Sequence, residues 1–363
     1  MLIKNIPEIL QHINELDELA MRRSRLYNVV CDILNSADVY MDKAFVEKQK
    51  EKYGDLYIKG ILSHVIQVDP DLIEDDLVKE LAENLTVLDD NYYNNMVVKA
   101  FSRIHDTYIG CAHISTKAVD RDYVDFCKSP KVTGAIPACP RLYYSPKALK
   151  IAQLWIHDEV WMTISPNEVY TMEEQIQHAR GRVLTCGLGI GYFAIMAAAK
   201  PEVSSVTVIE NNESVIRIFE EAIKRLFDEK ITSKIEIKCC DAYKYLYDLS
   251  DGSYDYCFID LWQGVLDTEH YFKAVHATAK FKRMRYELWI EDSFISRFRE
   301  EVLAAMANTV ADVPLSPFIF PFVNNVIIGS VDGVDKWLQS NSLRSHIYST
   351  VRKISREAMD QIE

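Results

Sequence analysis

From Arg182 onward two periodicities alternate. Short apolar runs fall at about 182–186, 204–210, 234–238, 254–260 and 286–291, separated by stretches near 190–200, 212–227, 241–248, 267–279 and 293–309 with apolar positions at helical spacing. Apolar runs of strand length separated by amphipathic helices predict a parallel sheet, because each crossover helix must cover a face of it. The expected class is therefore α/β, a mostly parallel sheet with helices on both faces. FVNNVIIGS (322–330) predicts a further strand, and 333–362 one or two closing helices.

The first third reads differently. Ile9, Ile13, Leu16, Leu19, Leu26 and Val30 lie near helical spacing within 6–36, and helical stretches follow at about 71–86 and 91–105. Its histidines (His12, His64, His105, His113) and the Tyr92-Tyr93 pair are scattered, which fits structural or surface roles. Between Val119 and Ser145 the text turns irregular, with Pro130, Gly134, Pro137 and Pro140 breaking regular elements, and Pro146 just beyond. KIAQLWIHDEVWMTIS (150–165) then predicts a β-hairpin turning near His157-Asp158. After it Ser165 is an expected N-cap, with Pro166 at the first helical position and Glu168 in the first turn.

Composition narrows the function classes. Of 363 residues 48% are hydrophobic and 26% charged, as in ordinary globular proteins, and the formal charge is -13. Such a balance argues against nucleic acid as a partner; Lys280, Lys282, Arg283 and Arg285 fit cations at a helix C-terminus. Eight cysteines form no C-x-x-C pair, so no zinc site or disulfide framework is expected, and Cys239-Cys240 reads as packing at a strand end. No apolar run approaches the roughly 18 residues of a membrane span, and no signal-peptide pattern opens the chain, so a cytoplasmic protein with reduced thiols is expected.

The chemistry gathers where the strands end. VLTCGLGIGYFAIMAAA (183–199) puts Gly187, Gly189 and Gly191 between the first strand and a helix, a turn that lets the backbone approach a ligand. It also satisfies the G-x-G-x-x-A form of a dinucleotide fingerprint. Glu210 ends the second strand, where a carboxylate can accept from both hydroxyls of a ribose; nicotinamide and adenosyl ligands both need this. Asp241 and Ala242 follow the third strand, suited to an adenine amino group and ring. Asp260, then Leu261 and Trp262, follows the fourth.

Taken together the glycine turn, Glu210, Asp241 and Asp260 resemble the S-adenosylmethionine-dependent methyltransferases of the Rossmann-like class. Among these the stretch 161–260 looks most like the spermidine synthase branch. The resemblance implies a Rossmann-like methyltransferase sheet preceded by a β-hairpin and an N-terminal helical module. The domains would be a helical module over 1–135, a linker and hairpin over 136–165, and an S-adenosylmethionine-binding catalytic domain over 166–363. It further implies that Gly187, Gly189 and Gly191 wrap the methionine part of the cofactor S-adenosylmethionine. Glu210 would bind the ribose and Asp241 with Ala242 the adenine, with Asn211 a further cofactor-binding residue.

Spermidine synthases carry the Asp of strand four as the first residue of a D-S-x-D-P-like segment, whereas here Leu261-Trp262-Gln263-Gly264 replaces the remainder after Asp260; the family's Tyr-Gln pair corresponds to Met172-Glu173. The expected reaction is therefore in-line methyl transfer to a small-molecule or peptide acceptor. Asp260 would be the base or acceptor-orienting group, and Trp262 and Tyr192 walls around the sulfonium. The N-terminal helices would cover the site or form a homodimer. One alternative is aminopropyl transfer from decarboxylated S-adenosylmethionine. A second is a cation-dependent O-methyltransferase with Mg²⁺ on Asp260, Asp292 and Glu291, set against Glu291-Asp292-Ser293 simply opening a helix. A third is adenosyl binding without turnover. A nicotinamide-dependent reductase comes last.

Overall fold

A computed structural model describes residues 2–3, 6–36, 43–54, 69–72, 84–121, 123–127, 141–307 and 327–361, with isolated positions between 57 and 79. The chain divides into two compact units, Thr86–Cys127 with Tyr143–Trp289, and Met1–Leu85 with Lys128–Leu142 and Ile290–Glu363.

In the first of these, five parallel strands form one sheet: β1 (Gly181–Cys186), β2 (Val203–Glu210), β3 (Ile235–Cys239), β4 (Tyr256–Ile259) and β5 (Arg285–Leu288). Their spatial order is β3-β2-β1-β4-β5, the doubly wound arrangement whose reversal falls beside β1. Val208 pairs with Thr185 of β1, and Phe258 of β4 pairs with the same residue. Val183, Leu184, Val208, Ile209, Cys257 and Ile259 are fully buried, which is why the strands read as unbroken apolar runs. The expected strands and intervening helices are present. The second helix differs in detail, running as α-helix over Glu213–Ile218 before widening over Phe219–Ile223 and tightening over Lys224–Leu226. Strand five ends earlier than expected and the next helix opens at Glu291, because Ile290 takes a left-handed backbone conformation (φ 47°).

The predicted hairpin is present as Leu149–Ile156 and Glu159–Thr163, turning at His157. It belongs to a larger antiparallel sheet, since Thr107–Ile109 and Ala112–Val119 add two strands on its other side. Two more strands, Tyr123–Cys127 and Arg141–Ser145, lie inside the stretch expected to be irregular. The helix expected at 91–105 is two short ones, Asp90–Asn94 and Met96–Phe101, because the Asn95 side chain accepts from the Val97 N–H (2.9 Å) and starts a new helix. Most of the helix expected at 71–86 lies outside the described residues; its last positions enter the strand Leu85–Val87.

The other unit is mainly helical. Pro7–Ser36 packs on Glu291–Met306 and on Val331–Leu338, burying Ile9, Ile13 and Ala20, while the Leu26 and Val30 side chains lie outside the described residues. Ser340–Val351 and Arg356–Asp360 close the chain. Of the strand expected at 322–330 the described residues are 327–330, of which Ile327–Ile328 is strand and pairs in parallel with Leu2–Ile3. Glu291 and Asp292 do open a helix, and Arg344 binds both, at 3.1 and 2.6 Å. Among the described residues no helix is long and apolar enough to cross a membrane.

Candidate active site

A cavity of about 340 Å³ opens at the carboxyl ends of the parallel strands, where this topology places ligands. Gly187, Gly189, Glu210, Asn211, Asp241, Ala242, Asp260 and Trp262 all line it. Eight of the ten residues singled out from sequence therefore share one surface. Gly191 and Tyr192 are not in the lining. Gly191 supplies the left-handed residue (φ 84°) that starts the helix Tyr192–Ala198. Tyr192, expected as a wall around a cation, is instead buried, and its hydroxyl accepts a hydrogen bond from Asn95 Nδ2 (2.9 Å). At the first position of that helix its side chain turns into the core.

The glycine turn is held by both neighbours of β1. Gly187 donates to the Ile209 carbonyl (2.9 Å) and the Asp260 N–H to the Cys186 carbonyl (2.9 Å). At Gly187 φ is 96°, and a Cβ would overlap the main-chain oxygen of Asp260, so the sheet can close only around a glycine. The Ile190 N–H points at Met162 Sδ (3.3 Å), which ties the turn to the antiparallel hairpin.

Glu210 braces the same turn. Its Oε2 accepts from the Leu188 N–H (3.0 Å), and its Oε1 from the N–H groups of Asn211 (2.9 Å) and Asn212 (2.8 Å). A carboxylate has about four acceptor positions, so a ligand hydroxyl finds one left, on Oε2. Asp241 is likewise partly spent, its Oδ1 capping the helix Ala242–Asp248 through the Lys244 N–H (2.7 Å).

Asp260 is the opposite case. Its carboxylate makes no hydrogen bond among the described residues, and burial, reinforced by the negative charge of Glu168, pushes its pKa well above the usual carboxylate range. Trp262 packs edge-on to Tyr271 (centroids 6.2 Å, 79°) while also lining the cavity, so it serves core and site together.

Several lining residues escaped the sequence reading: Glu168, Trp161, Tyr243, His270 and Trp289. The Tyr243 hydroxyl meets His270 Nδ1 (2.9 Å), and Trp289 Nε1 donates to Thr171 Oγ1 (3.1 Å). Glu168 did carry a signal, the Ser165-x-x-Glu168 spacing, which suggested a helix cap alone. Ser165 indeed caps the helix Pro166–Thr171, but the Ser165 N–H is taken by Thr163 Oγ1 (3.3 Å), and Glu168 lines the cavity.

No protein-family profile and no curated protein matches the chain. Among solved structures it is similar to the spermidine synthase from Thermotoga maritima, with TM-score 0.32 and 13% identity over 56% of this chain and 64% of that one. It is also similar to a spermidine synthase solved with the transition-state analogue AdoDATO, with TM-score 0.31 and 14% identity over 53% and 62% of the two chains. The match thus spans less than two thirds of either synthase. The Rossmann-like assignment rests on the order and register of this chain's own sheet.

Proposed function

We propose that the cavity binds an adenosyl sulfonium beside an amine acceptor, and that the protein transfers an aminopropyl group from decarboxylated S-adenosylmethionine to that amine. The observation that carries this reading is the charge of the wall: Glu168, Glu210, Asp241 and Asp260 line the cavity, and among the described residues no lysine or arginine does. S-adenosylmethionine would bring a carboxylate into that surface without a side-chain cation to meet it, a costly desolvation. Its decarboxylated form carries an ammonium and a sulfonium and no carboxylate, and the indoles of Trp161, Trp262 and Trp289 add favourable faces for cations. Wall charge thus favours aminopropyl over methyl transfer, the reverse of the order suggested by Leu261-Trp262-Gln263-Gly264.

The bound sulfonium supplies an already activated carbon. The chain's part is to hold and deprotonate. Glu210 offers its remaining acceptor position to a ribose hydroxyl, and Asp241 and Ala242 receive the adenine. Asp260, with its raised proton affinity, takes one proton from the acceptor's ammonium. The freed nitrogen lone pair forms the C–N bond as the C–S pair returns to sulfur, leaving a neutral thioether and a secondary ammonium.

Calorimetric titration with decarboxylated S-adenosylmethionine, S-adenosylmethionine and NADH tests the reading. The decarboxylated donor should bind at least tenfold more tightly than S-adenosylmethionine, about 1.4 kcal/mol, and NADH not at all. Binding of NADH alone would overturn it.

A further inference from the structure

We infer that Glu168 is a positioning residue for the acceptor, holding its ammonium beside Asp260; the inference rests on the transferase reading above. The segment after Asp260 is Leu261-Trp262-Gln263-Gly264 and contains no second acid, so a partner carboxylate for a cationic acceptor has to come from another element. The structure brings one. Glu168 reaches the cavity from the helix that follows the hairpin, whereas Asp260 reaches it from the end of β4.

The backbone carrying Glu168 is tied down on both sides. Ser165 Oγ accepts from the Glu168 N–H (3.5 Å) and Asp125 Oδ2 from the Asn167 N–H (2.9 Å). At the other end of the helix Thr171 is fixed by Trp289. These bonds fix the main chain from which the Glu168 side chain extends, so its starting point is set before a ligand arrives. Trp161, Trp262 and Trp289 line the same space, and indole rings suit a cationic occupant.

The electrostatics agree in direction, since Glu168's negative charge holds protons on Asp260 more tightly. An ammonium placed beside both carboxylates would offset that repulsion and lower the proton affinity of Asp260 as the acceptor arrives. The other titratable groups lining the cavity are Glu210, Cys240, Asp241, Tyr243 and His270.

Glu168→Gln tests the assignment through readouts that a purely structural role would leave alone. The acceptor KM should rise on the order of tenfold to a hundredfold, several times more than the Kd for decarboxylated S-adenosylmethionine, which loses one of four wall charges but keeps its ribose and adenine contacts. The acidic limb of the kcat/KM profile, set by Asp260, should move to lower pH because a negative charge has been removed. Glu168→Asp keeps the charge on a shorter arm, so its limb should stay while its acceptor KM rises. An unchanged KM and an unmoved limb in the Gln variant, with donor binding intact, would overturn the inference and leave the transferase reading standing. If the wild-type protein binds no adenosyl donor, the transferase reading fails and the inference with it.

Discussion

At one side of the cavity Glu210 accepts three main-chain N–H groups; at the other Asp260 accepts none among the described residues, and burial keeps its proton affinity high. Glu210 ends β2 and Asp260 stands just past β4, the two strands flanking β1 and its turn, and both carboxylates line the same space. The difference separates two tasks. Glu210 belongs to a preformed seat whose shape is fixed before a ligand arrives. Asp260 is left without a hydrogen-bond partner among the described residues, at a cost to stability, and a cationic acceptor is what would offset that cost.

Asp260→Asn should break the comparison most strongly. Turnover should fall by about 10²–10⁴-fold, the usual contribution of a positioned base, a far larger loss than any weakening of donor binding seen in calorimetry. Stability should move the other way. The folded carboxyl binds its proton more tightly than the unfolded one, so stability is fully present below the ordinary carboxylate pKa and is lost as pH rises toward the raised value. The Asn variant escapes this loss and should melt at a higher temperature than the wild type near neutral pH. An unchanged melting temperature across pH would contradict the account.

Gly187→Ala acts on the seat. A left-handed backbone and an overlap with the Asp260 carbonyl together should cost about 2–4 kcal/mol in urea denaturation. Glu210→Gln retains one acceptor oxygen and places an amide donor against main-chain donors, so about 1–3 kcal/mol of stability should be lost, along with donor affinity. Glu300, in the helical unit, sharpens the contrast with the smallest effect. Burial pushes its pKa up to about 7, and the linkage sign is the same, with stability lost as pH rises through that value. Glu300→Gln should flatten the dependence of melting temperature on pH between about 5 and 7 and leave the kcat/KM profile where it is.

Much of the fold and the seat can be read from sequence, because strand-length apolar runs and glycine spacing are local signals. The five-stranded sheet, the hairpin and the placing of Gly187, Gly189, Glu210, Asp241 and Asp260 in one site all follow from them. The acceptor side resisted for physical reasons. Glu168 lies far from Asp260 in sequence, and its only signal was that of a helix cap. Tyr192 sits beside the glycines, yet helical periodicity turns it to Asn95. The strands Thr107–Ile109 and Ala112–Val119 were missed because a weak alternation such as AHISTKAV becomes a strand only when Leu149–Ile156 lies alongside to pair with it.

The central claim is that this acidic cavity moves an aminopropyl group onto an amine. Incubating the wild-type protein with decarboxylated S-adenosylmethionine and a panel of diamines, with products identified by mass spectrometry, tests it most directly. The account predicts an amine heavier by one aminopropyl group, with methylthioadenosine in equal amount and both formed at least about a hundredfold more slowly by Asp260→Asn. Methyl transfer from S-adenosylmethionine to the same amines, with no aminopropyl product, would contradict it.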